Sequence, residues 1–113
     1  MTENDLVGTW TVTAAGGVPT PAGVESHLTF GDDGRMHGRG GVNTIGGDFD
    51  VEPGDPATLV IGPCMSTLMA GPDDAMALEY RVTSNLEGRL RLVIDGDRAS
   101  LGDGVIELEW VKP

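Results

Sequence analysis

The stretch GGVNTIGGDFDVEPGDPATLVIGPCMSTLMAGPDDAMALEYRVTSNL, residues 40–86, contains the features that decide the fold. It begins with a glycine-rich turn and continues through two short apolar runs at residues 49–51 and 59–61. A Thr/Met segment at residues 66–70 follows, without a regular spacing of apolar residues. From residue 75 onward the apolar residues recur at steps of three and four, which is the period of a helix. The stretch therefore predicts two strands and, after the Thr/Met segment, one helix.

The predicted helix begins at Asp73 or Asp74 and ends before Gly88, a length of about four turns. The segment 71–74 supplies an N-cap and places two carboxylates at the positive end of the helix dipole. Gly88 supplies the stop. Glu79 lies beside the apolar stripe of this helix. The stripe itself consists of Ala75, Leu78, Val82 and Leu86.

Outside this stretch the apolar residues alternate with polar ones, which is the pattern of half-buried strands. The first such strand covers residues 6–13. Two more strands, from residue 24 onward, flank a Gly-Asp-Asp-Gly turn at residues 31–34 and form a predicted hairpin. The last three strands lie at residues 90–94, 99–101 and 106–110. The pattern predicts eight short strands in all.

Eight short strands and one helix define the expected fold. We predict a mostly β fold, a small antiparallel β-barrel-like domain with one α-helix packed on it or plugging it. Closure of the sheet accounts for short strands without protective lysines at their edges, because a barrel leaves few edges exposed. Residues 1–113 are expected to form a single domain, since a chain of this length builds one core.

Charge excludes some classes of partner. The chain has 18 acidic and 7 basic side chains, a formal net charge of −11. A polyanion would meet a repulsive field, so neither nucleic acid nor an anionic membrane surface is expected to bind. The acidic residues are interpreted as solvating turns and outer strand faces. The alternative is an acidic patch that receives a cationic partner or ion.

The location of the protein is predicted from the segments that the chain contains. No run of about 18 apolar residues is present. The acidic residues 1–5 do not resemble a secretory signal, and a single cysteine, Cys64, cannot form an internal disulfide. A cytoplasmic monomer is therefore expected, with a protein partner of unspecified identity.

Three short motifs follow one another in a fixed order. Gly41-Val42-Asn43 comes first, Ser-Thr-Leu-Met-Ala-Gly at residues 66–71 comes second, and a helix with a Glu comes third. They resemble the META domain, or heat-shock HslJ-like, family, whose pattern runs G-C-N, a strand, T-x-M-A-C and a helix that carries a Glu. The resemblance covers nearly the whole chain and implies the same barrel-like fold. The residues that match the family motifs are Gly41, Asn43, Thr67, Met69, Ala70 and Glu79.

The family pattern has cysteines at two positions where this chain has Val42 and Gly71. The resemblance implies that these cysteines pair with each other in exported relatives. The backbone at Val42 and Gly71 is then expected to lie within bridging range, with the two Cα atoms no more than about 7 Å apart.

Two histidines are candidate metal ligands. His27 and His37 lie on the two strands of the predicted hairpin and share its outer face if Phe30 and Met36 point inward. Glu25 would be a third ligand. A zinc site usually recruits three or four firm ligands, so no metal site is predicted.

The remaining polar motifs are interpreted as structural. Cys64 is predicted to be a buried small hydrophobe, and Ser66 has no base nearby in the sequence to activate it. The glycine-rich residues 38–47 contain no lysine that would hold a phosphate. Glu79 is predicted to fix the helix on the sheet by a hydrogen bond to the backbone or to Thr67, and the alternative is a perturbed acid in a cleft. Likewise, Gly41 to Asn43 are interpreted as a tight turn, with a ligand-binding loop as the alternative. No catalytic residue and no cofactor is predicted.

Two functional classes remain. The favoured hypothesis is a non-enzymatic accessory or stress-associated module that holds a protein partner on an outer sheet face or on the side of the helix. The alternative is a small-molecule carrier with its ligand in the barrel or at its mouth, since eight-stranded barrels can enclose one ligand. Small residues such as Gly8, Gly38 and Gly40 would favour a cavity. The side chains that would instead fill it are Trp10, Phe30, Met36, Phe49 and Trp110.

Overall fold

The computed structural model describes residues 3–113, with side chains from residue 5 onward. The chain forms ten strands and two helices within this range. Their bounds are α1 Glu3–Leu6, β1 Gly8–Ala15, β2 Val18–Pro19, β3 His27–Phe30, β4 Arg35–Arg39, β5 Thr44–Glu52, β6 Ala57–Ile61, β7 Met65–Ser66, α2 Asp73–Thr83, β8 Gly88–Asp95, β9 Arg98–Leu101 and β10 Ile106–Trp110.

Eight of the strands form a closed antiparallel barrel. Its order is β1-β3-β4-β5-β6-β8-β9-β10, and β10 returns to β1 with Trp10 opposite Trp110. These are the eight strands that the alternation predicts. The two-residue strands β2 and β7 were not predicted, and they pair with β1 and β5 outside the ring. The mostly β, barrel-like fold class is confirmed.

Side chains fill the interior of the barrel. Edge-to-face aromatic pairs form between Trp10 and Trp110 and between Phe30 and Phe49, each with ring centroids 5.1 Å apart. The indole N–H of Trp10 donates to the Leu6 carbonyl at 2.9 Å, so its polar atom has a partner. The largest fully buried side chains are Trp10, Phe30, Leu6, Leu28, Met36, Ile45, Leu59, Leu78, Leu86, Leu92, Leu101 and Ile106.

Helix α2 covers one end of the barrel. Its buried stripe is Ala75, Leu78 and Val82, as predicted, and Leu78 and Val82 join the core. At one edge of the helix the Arg81 guanidinium donates to the carbonyl of Ala15, the last residue of β1, at 3.0 Å. The helix therefore lies at the end of the barrel where β1 and β4 finish.

The predicted bounds of α2 need correction. The helix has 11 residues and ends at Thr83, so it has about three turns instead of four. Ser84 and Asn85 end it, because their side chains donate to the carbonyls of Tyr80 and Arg81 and so satisfy the last turn. Leu86 is still fully buried, but it reaches the core from the connection that follows the helix.

The start of α2 agrees with the prediction, whereas the bounds of several strands differ. The N-cap of α2 is Pro72, within the predicted segment 71–74, and the two Asp residues lie in the first turn, although Pro72 makes no side-chain cap hydrogen bond. Strand β1 begins at Gly8, since Leu6 belongs to α1. Strand β3 begins at His27, three residues later than the pattern at Val24 suggested.

Candidate functional site

The turn between β4 and β5 brings the backbone of the barrel against helix α2. Gly40 N–H donates to the Asn43 carbonyl at 3.0 Å and closes the turn. Gly41 has a φ of +152°, and a Cβ at this position would lie 2.5 Å from the Ala75 carbonyl oxygen of α2. Only glycine meets both conditions. Gly41 therefore sets how closely the turn and the helix approach each other.

Asn43 is buried at the centre of a hydrogen-bond network. Its Nδ2 donates to the Met69 carbonyl at 3.0 Å and to Oε2 of Glu79 at 2.7 Å. Its Oδ1 accepts from the Thr67 hydroxyl at 2.9 Å and from Met69 N–H at 2.6 Å. Both donors and both acceptor sites of the amide are thus occupied. We call Asn43, Thr67, Met69 and Glu79 the Asn43 network.

Glu79 joins α2 to this network through its carboxylate. Oε1 accepts from the backbone N–H groups of Val42 and Asn43, at 2.9 and 2.5 Å. Burial favours the neutral acid, but the hydrogen bonds from Asn43 and Val42 and the charge of Arg39 outweigh it and hold the pKa of Glu79 below its ordinary value. Glu79 is therefore an ionised acceptor that holds the helix on the barrel.

The structure brings five of the six predicted motif residues together. Of the two partners predicted for Glu79, the backbone or Thr67, the structure shows the backbone. The Thr67 hydroxyl instead donates to Asn43 and accepts from Thr44 N–H at 3.1 Å. Ala70 is exposed beside the network. The interpretation of the motif as structural agrees with this geometry.

Val42 and Gly71 lie next to each other. A Cβ at Gly71 would lie 3.4 Å from the Val42 Cβ, close to the separation found in disulfides. Adding the two Cα–Cβ bonds, of about 1.5 Å each, puts the Cα atoms within about 6.5 Å, inside the bridging range. This agrees with the proximity that the resemblance implies.

Strand β7 and the segment that joins it to α2 expose apolar side chains to water. Met65, Leu68 and Met69 are 82%, 96% and 58% exposed. The backbone beneath them is nevertheless fixed, since Thr67 and Met69 belong to the Asn43 network and Thr67 N–H donates to the Thr44 carbonyl at 3.1 Å. We call Met65, Leu68 and Met69 the Met/Leu surface. Nothing in the spacing of the sequence indicated it, because no period runs through the segment.

A groove of about 610 Å³ adjoins the Met/Leu surface on the outer wall of the barrel. Gly46 of β5 lies between His37 of β4 and Met65 of β7, directly opposite each of them in the sheet. A Cβ at Gly46 would meet only the Met36 carbonyl oxygen, at 3.5 Å, so the space above this glycine is open. Arg35 and Asp48 flank one end of the groove.

The histidines and Glu25, weighed above as candidate metal ligands, do not assemble into a cluster. His27 Nδ1 lies 3.6 Å from the Glu25 carboxylate, whereas His27 and His37 face Arg39 and Thr29 across the hairpin. Within the described part of the chain, no three His, Cys, Asp or Glu side chains are placed to hold an ion.

Cys64 is half-buried, which corrects the prediction of a buried position. It lies directly before β7 and packs, partly buried, against the hydrophobic core. Burial, together with the charge of Glu87, raises its pKa. The protonated thiol is the less reactive form.

A barrel closed at one end by a helix places the protein in the class of small closed β domains. Comparison of its sequence with protein families then identifies the family. The sequence profile of the META domain matches residues 4–107. The chain belongs to the META domain family.

Solved structures share the fold. One NMR structure has a TM-score of 0.73 at 12% identity, and the match covers 97% of this chain and 95% of that one. A second, an NMR structure of a protein from Burkholderia xenovorans, has a TM-score of 0.72 at 17% identity, covering 98% of this chain and 87% of that one. No curated protein has a sequence that matches this chain. Of the helices in residues 3–113, none is long and apolar enough to cross a bilayer.

Proposed function

We propose that this META domain is a non-enzymatic accessory module that holds a protein partner through the Met/Leu surface. The observation that carries the proposal is Leu68, whose side chain is almost wholly in water although its neighbours on both sides are hydrogen-bonded to Asn43. A flexible loop could turn such a side chain inward. Here the network holds it outward, as expected for a contact residue.

The energetics of the Met/Leu surface support this role. Burying one Leu or Met side chain stabilises by about 1.5–3 kcal/mol. The surface presents three such side chains within five residues. Single exposed apolar residues are ordinary, but a cluster marks interaction sites. Met side chains also adapt to differently shaped partners.

The polar groups of the site support a role without catalysis. The buried acid Glu79 is ionised and has both carboxylate oxygens bonded to structural donors. The Thr67 hydroxyl both donates and accepts within the Asn43 network. The Cys64 thiol has a raised pKa. A hydroxyl or thiol nucleophile needs a neighbouring base or a lowered pKa. The Thr67 hydroxyl instead donates to an amide oxygen, and the pKa of the Cys64 thiol is raised.

The alternative, a small-molecule carrier, has weaker support. The aromatic and aliphatic side chains that would compete with a ligand do fill the interior. The outer groove has the volume of a ligand site. Its flanking side chains Arg35 and Asp48 are 76% and 80% exposed, however. A small ligand there would stay largely in water, unlike the ligands of enclosed pockets.

The proposal is tested by comparing the proteins that variants retain from a native lysate. Immobilised wild type and Val93→Ser, which alters an exposed apolar residue of β8, should retain a common set of proteins. Leu68→Ser should lose that set. If the role is stress-associated, lysate from heat-treated cells should yield more of it. Identical sets for Leu68→Ser and wild type would contradict the proposal.

A further inference from the structure

We infer that the partner presents a cationic segment that places an apolar side chain over Gly46 and lies against the Met/Leu surface. The inference rests on the proposed function and adds the chemistry of the partner. Two observations carry it: the open space above a strand glycine, and the sign of the charge around it.

The space above Gly46 has the form of a missing side chain. Residues opposite each other on neighbouring strands are about 5 Å apart, so the side chains of His37 and Met65 stand on either side of an empty position. A glycine inside a strand weakens the strand and often marks close approach of a ligand. A side chain from a partner would fill this position between an imidazole and a thioether.

The charge around the groove favours a cationic segment. Asp48 lies at one end of the groove, and Asp73 and Asp74 follow the Met/Leu surface at the start of α2. Glu87 accepts a hydrogen bond from Cys64 N–H, just before β7, at 2.8 Å. Arg35 and His37 also line the groove, but the guanidinium of Arg35 lies 4.0 Å from the Asp48 carboxylate, which offsets its charge.

The net charge of the chain also distinguishes between a second copy of this chain and a basic segment as the occupant of the groove. A second copy of this chain would bring another net charge of −11 to the same face. Like charges across an interface are unfavourable, whereas opposite charges steer association. A segment with both basic and apolar side chains would fill the groove and would be attracted by the acidic residues around it.

The test uses three fluorescein-labelled nine-residue peptides and fluorescence polarisation with the full chain. The first has lysines flanking a central Phe-Leu pair, the second has glutamates in place of the lysines, and the third has serines in place of the apolar pair. We expect the first to bind at least about tenfold more tightly than either other peptide, and to weaken as salt is added.

Variants locate the binding site. Gly46→Leu fills the groove and should weaken binding of the lysine peptide at least about tenfold. Its fold should persist, because Gly46 does not have a positive φ and its Cβ has room. Thr11→Leu, which adds the same side chain on the exposed face of β1, is the matched control and should leave binding unchanged. Thermal melts check that each variant is folded.

The outcomes separate this inference from the proposed function. Equal binding of the lysine and glutamate peptides, or unchanged binding in folded Gly46→Leu, would overturn the inference. Concentration-dependent dimerisation blocked by Gly46→Leu would also overturn it, by making a second copy the occupant. In these cases the proposed function would still be supported if Leu68→Ser lost the lysate proteins that wild type retains. If Leu68→Ser retained all of them, the proposed function would be contradicted as well.

Discussion

At the scale of single residues, Glu79 makes the most consequential contacts. In Glu79→Gln one carboxylate oxygen becomes an NH₂ group, which must face either Asn43 Nδ2 or the N–H groups of Val42 and Asn43. Asn43 cannot turn over, because its Oδ1 already accepts from Thr67 and Met69. We expect a loss of about 2–3 kcal/mol in the free energy of unfolding. Urea titration measures it, and the exposed Glu107→Gln should change stability by less than about 0.5 kcal/mol.

The same residue predicts a pH dependence. The folded pKa of Glu79 is lowered, so its contribution is fully present above the unfolded pKa of about 4.3 and is lost as pH falls through the folded pKa. The stability difference between wild type and Glu79→Gln should therefore be largest near neutral pH and narrow below about pH 4. A difference that stays constant down to pH 3 would show that the charge of Glu79 is not what stabilises the fold.

At the scale of elements, the packing of helix α2 on the barrel depends on one face of the helix. Val82→Asp places an unpaired charge in the core and should cost several kcal/mol, enough to unfold a marginal domain. Tyr80→Asp changes a side chain that is 73% exposed, two residues earlier on the same helix. Denaturant midpoints compare the two variants. Equal midpoints would mean that the helix packs through a different face.

A second element-scale prediction joins the β4–β5 turn to the start of α2. Val42→Cys with Gly71→Cys, made in a Cys64→Ser background, should oxidise to a disulfide because the two Cβ positions are 3.4 Å apart. In the wild type a Cβ at Gly71 would lie only 2.6 Å from a methyl group of Val42. The Val42→Cys substitution relieves this clash, because cysteine either lacks that methyl or has its sulfur in the same place. Closing this loop should add about 3–4 kcal/mol in the chain-entropy model. Thiol titration and paired oxidised and reduced melts measure it, and free thiols that persist under air would contradict it.

The sequence predicts elements well where periodicity extends over several residues. The eight barrel strands and the buried stripe of α2 follow from spacing alone. Strands β2 and β7 have two residues each, too few to show any period. The end of α2 was misplaced because Leu86 continues the helical spacing, while side-chain bonds from Ser84 and Asn85 end the helix first.

The candidate site was less predictable, for a different reason. The motifs point to Asn43 and Glu79, but the bonding of these residues joins positions up to 37 residues apart, which only the folded barrel brings together. The exposure of Leu68 and the space over Gly46 are likewise tertiary properties. In the sequence, Leu68 resembles any core residue, and Gly46 resembles any turn glycine.

At the scale of the whole molecule, net charge governs what can approach. We expect no change in the fluorescence anisotropy of labelled single-stranded or duplex DNA at micromolar protein and moderate salt, because −11 charges repel phosphates. A basic DNA-binding protein serves as the positive control. Micromolar binding that weakens steeply with added salt would contradict this prediction.

The closure of the barrel also determines its response to mechanical tension. Strands β1 and β10 are antiparallel neighbours, with Trp10 opposite Trp110, and Val111 N–H donates to the Thr9 carbonyl at 3.0 Å. The start of β1 and the end of β10 therefore lie at the same rim. A pull on these two points peels the strands apart from that rim, so their hydrogen bonds break one after another instead of sharing the load. The contact that closes the barrel is therefore the line along which a stretching force would open it.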